Sequence, residues 1–244
     1  MTKIKLIALD MDGTLLNNDH DISGETIEAI NYARNKGVKV MIATGRPYSH
    51  CHPYAKQLDL DTYIAVSNGA EIWDMDENLL VRKAIHHEKM EQLWQVGERL
   101  DLPMWAISTE DVFYRENPPQ AFHAETWLKI GYDDLTDELK DRLLHELQYF
   151  EGELELTNSY THNIEVNKAG VNKADAIRFI CDKEDILMEE VLVAGDGLND
   201  RKMIEQAGIG IAMGNAQDVL KQVADDVTGT NDEHGVAAMI RKYI

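Results

Sequence analysis

The stretch at residues 4–14 reads Ile4-Lys5-Leu6-Ile7-Ala8-Leu9-Asp10-Met11-Asp12-Gly13-Thr14, an apolar run that stops at an aspartate. Its length and its β-branched and leucine content indicate a short buried strand. A helical pattern follows from Ser23, a predicted N-cap, to Lys36, which precedes Gly37. A buried strand followed directly by a helix predicts the beginning of an α/β fold.

The alternation of strand and helix continues on both sides of a central segment. Residues 38–42 and 63–66 are predicted strands that flank a helix after Pro47. The same order returns after Lys173, with helices predicted at 173–181, 198–206, 217–223 and 235–243 and strands at 191–194, 209–213 and 226–228. This order predicts a Rossmann-like, three-layer core with a parallel sheet covered on both faces.

The central segment has a different order of elements. A hairpin is predicted around 74–78, a helix at 86–100, strands at 103–108 and 111–115, a break at Pro118-Pro119 and a helix from Thr136 through Phe150. Residues 154–156 and 164–166 alternate like half-exposed antiparallel strands. We therefore predict an α/β core formed by residues 1–81 and 166–244, interrupted by an inserted α+β domain at 82–165.

Composition limits the partners and the location. The 244 residues are 44% apolar, enough for a large core, and carry 24 basic against 44 acidic side chains for a net charge of −20. This charge disfavours a nucleic acid partner. Two cysteines, Cys51 and Cys181, fit a reducing compartment, and the first apolar run is too short for a signal peptide or a membrane span. We expect a cytoplasmic protein without a membrane partner, and the oligomeric state stays open.

Polar residues follow each predicted core strand. They are Asp10 to Thr14, Thr44-Gly45-Arg46, Ser67-Asn68-Gly69-Ala70, and Gly195-Asp196-Gly197-Leu198-Asn199-Asp200. Ligands of open parallel sheets bind beyond the carboxyl ends of the strands, so these loops are expected to share one edge. If the chain stays extended past the first strand, the side chains of Asp10 and Asp12 leave on the same face and Asp196 can meet them.

Three crowded carboxylates predict a cation, and oxygen ligands with room for water suit Mg²⁺. Such a site fits attack on phosphorus, in which either Asp10 or Asp12 is the nucleophile and the other is acid and then base. Thr44 and the backbone amides after it can donate to a phosphate, and a lysine that opens a helix near the edge, Lys173, can neutralise charge.

These segments, in order, resemble the four motifs of the haloacid dehalogenase-like hydrolase superfamily. The motifs are Asp10-Met11-Asp12-Gly13-Thr14-Leu15-Leu16, Ala43-Thr44-Gly45-Arg46-Pro47, Lys173 and Gly195 to Asp200. The large insert and the Ser67-Asn68-Gly69-Ala70 turn resemble the Cof-like branch with a type IIB cap. Characterised members of that branch are largely magnesium-dependent phosphatases of sugar phosphates and other small metabolites.

The resemblance implies a role for each matched position. Asp10 is the expected nucleophile that forms an aspartyl-phosphate, and Asp12 the expected acid and base. The expected Mg²⁺ ligands are Asp10, the backbone carbonyl of Asp12, and Asp196. The remaining expectations are that Thr44, Lys173 and Asn199 contact phosphate, that Gly45 and Arg46 approach the substrate, and that Asp200 orients Lys173.

The function expected from these features is magnesium-dependent hydrolysis of a small phosphate ester, most simply a sugar phosphate. Two alternatives stay open, a phosphomutase of the phosphomannomutase type and a non-catalytic regulator that binds a phosphorylated metabolite. One position departs from the Cof-like pattern, because Arg201 follows Asp200 where an apolar or small residue is usual. Arg201 either lies on a helix face or competes for Asp200.

Overall fold

The computed structural model describes residues 3–244. The first part of the chain forms one half of the core. The elements are β1 (Leu6–Leu9), α1 (Gly24–Asn35), β2 (Lys39–Ala43), α2 (Tyr48–Gln57), β3 (Tyr63–Val66), β4 (Glu71–Asp74) and β5 (Leu79–Arg82). Ser23 caps α1 as predicted, since its hydroxyl accepts a hydrogen bond from the Thr26 amide at 3.2 Å.

The rest of the chain first forms the predicted insert and then returns to the core. The insert contains α3 (His87–Arg99), β6 (Met104–Ser108), β7 (Val112–Tyr114), β8 (Trp127–Tyr132), α4 (Asp137–Leu147), β9 (Leu154–Thr157) and β10 (Ile164–Lys168). The core resumes with α5 (Lys173–Glu184), β11 (Val191–Gly195), α6 (Arg201–Gln206), β12 (Ile209–Ala212), α7 (Asp218–Lys221), β13 (Asp226–Val227) and α8 (Gly235–Tyr243).

The larger sheet has the order β13-β12-β11-β1-β2-β3-β4-β5. The strands from β13 to β3 are parallel, which confirms the predicted parallel sheet. The predicted hairpin adds β4 and β5 to the same sheet as antiparallel edge strands. Every residue of β1 and β11 is buried, so both faces of the sheet are covered, with α1 packed on α8 and α5 packed on α6.

The smaller sheet is antiparallel, in the order β7-β6-β8-β10-β9. Helices α3 and α4 lie over it, and Trp94, Leu143 and Phe150 belong to the apolar core of this cap. The sequence analysis did not predict β8, the middle strand. All six residues of β8 are buried, so it lacks the alternation that identifies a half-exposed strand.

One predicted pattern within this sheet is wrong. Residues 164–166 were expected to be half-exposed, but Ile164, Glu165 and Val166 are all buried. The second face of the cap sheet lies over the loops of the larger sheet instead of facing water. Because β10 continues to Lys168, a boundary at 165 would divide a strand, and we propose that the cap ends after Lys168.

The helix ends differ from the sequence analysis by small amounts. The Thr136 hydroxyl accepts a hydrogen bond from the Leu139 amide, as predicted, but α4 ends at Leu147 and a single 3₁₀ turn completes the segment to Phe150.

Across residues 3–244, no helix combines the length and the apolar character needed to cross a bilayer.

Candidate active site

The four predicted loops meet at one edge of the larger sheet. Strands β11, β1, β2 and β3 are parallel neighbours, so their carboxyl ends lie side by side. Asp196, Asp10, Thr44 and Asn68 follow these strand ends directly or within two residues. The edge therefore collects two carboxylates, a hydroxyl and an amide from four distant parts of the chain.

Lys173 joins the first and last motifs. It is the first residue of α5, as predicted, and it is fully buried. Its Nζ donates to Asp10 Oδ1 at 2.5 Å and to Asp200 Oδ1 at 2.6 Å. Although burial opposes its charge, these two carboxylates hold the pKa of Lys173 above its ordinary value. The lysine stays charged and fixes the direction of Asp10.

Both oxygens of the Asp200 carboxylate already accept hydrogen bonds. Oδ1 accepts from Lys173, and Oδ2 accepts the backbone N–H groups of Asp196 and Gly197, each at 3.0 Å. Arg201 does not compete for it. That side chain is exposed, and its Nε donates to Glu205 Oε1 at 2.7 Å, four residues along α6.

Asp10, Asp196 and Asp200 form an acidic cluster with ligand atoms within 4.8 Å of one another. Burial first, and then the neighbouring carboxylates, raise the pKa of Asp10 well above its ordinary value although Lys173 opposes this. Burial and then the Asp200 charge raise the pKa of Asp196 to about 7. A further positive charge would stabilise this set, and its hard oxygen donors fit Mg²⁺. Both Asp200 oxygens already accept hydrogen bonds, whereas Asp10 and Asp196 line the cleft described below, so Asp10 and Asp196 are the carboxylates better placed to hold an ion.

The carboxylate of Asp12 does not join the cluster. The chain turns after Asp10 rather than staying extended, with Leu15 N bonded to Asp10 O and Gly13 at a φ of 73°. A Cβ at Gly13 would lie 2.4 Å from Asp196 Oδ2, so this turn needs glycine. The condition for the predicted shared face, an extended chain after the first strand, is therefore not met, although Asp10 and Asp12 both line one cleft.

Asp12 pairs with Arg46 instead. Its side chain is 51% exposed, and Arg46 donates to it from Nε at 2.8 Å and from Nη2 at 2.5 Å. Nearby, the Thr44 hydroxyl oxygen accepts the Arg46 backbone N–H at 3.1 Å. The hydroxyl hydrogen of Thr44 is thus directed away from that amide and can be donated to a ligand.

A second charged pair, missed by the sequence analysis, links the cap to the core. Lys129 of β8 donates to Gly45 O at 2.9 Å and to Glu165 Oε2 at 3.0 Å, and both side chains are buried. Asn68 Nδ2 also donates to Glu165, at 2.8 Å. Burial alone would raise the pKa of Glu165, but the Lys129 charge and the hydrogen bonds it accepts hold that pKa below its ordinary value.

The sequence contained a signal for this pair. Lys129 and Glu165 are charged residues inside otherwise apolar strand segments, Leu128-Lys129-Ile130 and Ile164-Glu165-Val166. A charge in a strand buried on both sides needs a partner.

Asn199, a predicted phosphate contact, also lies where the cap meets the core. Its Nδ2 lies 3.4 Å from Asn68 Oδ1, and its backbone N–H donates to Asn158 O of the cap.

A cleft of about 590 Å³ lies between the core loops and the cap sheet. The predicted residues that line it, on the core side, are Asp10, Asp12, Thr44, Gly45, Arg46, Asp196 and Asn199. The cap side includes Trp105, Tyr114, Asp133 and Tyr160.

Comparison with known proteins agrees with this arrangement. A family model described as haloacid dehalogenase-like hydrolase matches residues 7–142 and 120–240. Over 241 residues the chain is 44% identical to the 5-amino-6-(5-phospho-D-ribitylamino)uracil phosphatase YcsE of Bacillus subtilis, covering 99% of this chain and 96% of that protein. The phosphatase YitU of the same organism and the same stated activity is 33% identical over 266 residues, at 99% and 98% coverage.

A solved structure shares the fold over almost the whole chain. The subclass IIB sugar phosphatase BT4131 superposes with a TM-score of 0.83 and 26% identity, covering 98% of each chain. The α/β fold, with its parallel sheet and its separate antiparallel sheet, is therefore shared with a known group of enzymes. The chain belongs to the haloacid dehalogenase-like hydrolases and is a phosphatase of that family with a subclass IIB cap.

Proposed function

We propose that the protein hydrolyses phosphate monoesters of small metabolites through an aspartyl-phosphate at Asp10, with Mg²⁺ as cofactor. The observation that carries this proposal is the buried Asp10–Lys173–Asp200 chain of hydrogen bonds at the carboxyl end of the central strand. Lys173 holds one oxygen of Asp10, and the carboxylate points into a cleft large enough for a phosphorylated metabolite.

The metal would be held by the carboxylates of Asp10 and Asp196 and the backbone carbonyl of Asp12. When bound, Mg²⁺ supplies positive charge that reduces repulsion between an anionic nucleophile and a phosphate. The geometry supports this assignment, because burial and the neighbouring Asp200 carboxylate raise the pKa values of Asp10 and Asp196, and a bound cation would favour their ionised forms.

In the first step, an oxygen of Asp10 bonds to phosphorus and the bond from phosphorus to the ester oxygen breaks. Asp12 gives its proton to that oxygen, which leaves as an alcohol. In the second step, Asp12 takes a proton from water, the water oxygen bonds to phosphorus, and the Asp10 carboxylate is released with inorganic phosphate. Thr44 and Lys173 donate to the phosphoryl oxygens in both steps, and Asn199 supports the same group.

The substrate class we propose is a phosphorylated sugar or sugar alcohol. The stated substrate of the relatives YcsE and YitU is a ribityl phosphate, and BT4131 is named a sugar phosphatase. The first compound to test is therefore 5-amino-6-(5-phospho-D-ribitylamino)uracil. The two buried, unpaired cysteines support a cytoplasmic location for such an enzyme.

The experiment is phosphate release from a panel of sugar phosphates, nucleotides and para-nitrophenyl phosphate, with Mg²⁺ and with a chelator. We expect release that requires Mg²⁺ and is abolished by Asp10→Asn but kept by Asp59→Asn, a fully exposed aspartate in the loop after α2. Interconversion of sugar phosphate isomers without release would favour the phosphomutase alternative. Binding without either reaction would favour the regulator.

A further inference from the structure

The cap sheet presents aromatic side chains to the cleft, beside polar ones. Alternate residues of a strand share one face, and the cleft-facing positions of β6 and β7 are Trp105, Ile107, Val112 and Tyr114. Tyr160, in the loop before β10, lines the same side. Tyr114 is 54% and Tyr160 44% exposed, so large ring surfaces remain available to a ligand.

Trp105 is held in place by its neighbours on the sheet. It stands directly opposite Gly131 in the β6–β8 pairing, and its six-membered ring covers the position that a Cβ at residue 131 would take, 2.3 Å from Cζ2. The Lys129 ammonium lies 4.9 Å from the centre of the indole, within cation–π range. The absence of a side chain at Gly131 lets the indole lie against the strand without filling the cleft.

Asp133 connects two of these aromatic residues. Trp105 Nε1 donates to Asp133 Oδ2 at 2.8 Å, and the Tyr160 hydroxyl donates to Asp133 Oδ1 at 2.7 Å. The carboxylate accepts both bonds and has lone pairs to spare, since an ionised carboxylate accepts up to about four hydrogen bonds. Trp105, Tyr114, Asp133 and Tyr160 together are called the aromatic subsite below.

We propose that the aromatic subsite binds the leaving group of the substrate, and that this group carries a planar nitrogen heterocycle with N–H donors. This inference rests on the proposed function, because it assumes that the phosphate lies at the motif loops. Aromatic side chains bind planar rings by stacking, and an acceptor-only carboxylate selects rings that donate hydrogen bonds. The spacing between phosphate and ring is bridged by a sugar or sugar alcohol.

The charge of Asp133 also defines what the subsite rejects. A carboxylate on the leaving group would face the Asp133 carboxylate in a partly buried cleft, which is unfavourable. A simple sugar phosphate offers the indole and phenol rings no planar aromatic ring to stack on. The subsite therefore discriminates between esters that share the same phosphate end but differ in the ring.

The test compares two esters with the same phosphorylated end, 5-amino-6-(5-phospho-D-ribitylamino)uracil and ribitol 5-phosphate. Their binding to the full-length Asp10→Asn protein with Mg²⁺ is measured by calorimetry, so turnover is not required. We expect the ester with the ring to bind at least about 10-fold more tightly, in the range of base–aromatic stacking. Hydrolysis of ribitol 5-phosphate by the wild-type protein tests the proposed function separately.

Variants in the Asp10→Asn background show which residues cause the preference for the ester with the ring over ribitol 5-phosphate. Trp105→Ala should reduce it to about twofold or less, while Trp105→Phe, which keeps a ring, should preserve most of it. Tyr160→Ala, in an exposed loop, should also reduce it, and it replaces Trp105→Ala if that protein fails to fold. Tyr149→Ala removes an aromatic that is 85% exposed beside the cap helices and should leave the preference unchanged.

Equal affinity for the two esters, or binding of neither, would overturn the inference. If Trp105→Ala lowers the affinity for both esters by the same factor, the inference is also overturned, because Trp105 would then not distinguish the ring. If the ester with the ring binds more tightly but no ester is hydrolysed, the result supports the aromatic subsite and contradicts the phosphatase mechanism.

Discussion

The Arg46 guanidinium holds the carboxylate of Asp12 by two hydrogen bonds, from Nε to Oδ2 at 2.8 Å and from Nη2 to Oδ1 at 2.5 Å. This parallel pairing fixes both the position and the plane of the carboxylate. Arg46 belongs to the second motif and Asp12 to the first, so the contact crosses from β2 to β1. It makes Arg46 a positioning residue for the proposed acid and base.

Asp12→Asn should lower kcat for a sugar phosphate by about 10²- to 10⁴-fold, the usual contribution of a general acid or base. The first step should be less affected for para-nitrophenyl phosphate, because para-nitrophenolate leaves without a proton. Stopped-flow measurement should then show a burst of para-nitrophenol followed by slow turnover. Equal losses for both substrates and no burst would contradict the role of Asp12.

Arg46→Lys should lower kcat by about 10- to 100-fold with a small change in KM, because lysine cannot hold the carboxylate in one plane. The measurement is steady-state kinetics with a sugar phosphate. A matched control is Arg201→Lys, since Arg201 bonds only within its own helix to Glu205. If KM rises and kcat stays constant, Arg46 binds substrate rather than positioning Asp12.

Lys173→Met should destabilise the protein by about 3–5 kcal/mol, because it leaves the buried carboxylates of Asp10 and Asp200 without their cation. Urea unfolding in the presence of a chelator measures this free energy. Lys202→Met, which removes a surface ion pair with Glu155, should cost no more than about 1 kcal/mol. Equal stability of the two variants would show that the lysine is not needed to balance the buried charge.

The Glu165–Lys129 pair predicts a defined pH dependence of stability. The pKa of Glu165 is lower in the folded protein than its ordinary value of 4.5, so ionised Glu165 stabilises the fold above that pH. This contribution is lost as the pH falls through the lower, folded-state pKa. Glu165→Gln should therefore cost about 3–5 kcal/mol at neutral pH, and the difference from wild type should shrink in acid.

The test of this pair is urea unfolding of both proteins at neutral pH and over a series of pH values below 4.5. Lys129→Met in the Glu165→Gln background should recover part of the lost stability, since the unpaired buried ammonium is removed as well. A difference that does not change with pH would mean that the ionised form of Glu165 is not the stabilising one.

Asp196→Asn should raise the Mg²⁺ concentration needed for half-maximal phosphate release by at least about 10-fold, because a neutral amide replaces one of two carboxylate ligands. Activity is measured across a Mg²⁺ titration, with Asp59→Asn as the control. An unchanged requirement would remove Asp196 from the proposed metal site.

The sequence allowed the position of Lys173 to be predicted because parallel strands bring distant loops to one edge, and a lysine that opens the adjoining helix must lie there. It did not allow the direction of Asp12 to be predicted. That direction depends on the turn at Gly13 and on Arg46, which are properties of the folded loops.

The cap was predicted less completely for two physical reasons. Strand β8 is buried on both faces, so its residues show no alternation. The alternation at residues 164–166 predicts an exposed face, but in the structure that face covers the core loops. The aromatic subsite assembles Trp105, Asp133 and Tyr160 from separate cap segments. Their spacing along the chain carries no periodic signal.

The central claim is that Asp10 becomes phosphorylated, and acid-quenched mass spectrometry tests it most directly. The Asp12→Asn protein is mixed with para-nitrophenyl phosphate and Mg²⁺, digested, and searched for a phosphorylated peptide. We predict that the phosphoryl group is found on Asp10, and that it is absent from the protein that carries both the Asp10→Asn and the Asp12→Asn substitutions. A phosphoryl group on another residue, or phosphate release by the Asp10→Asn protein at the wild-type rate, would contradict the account.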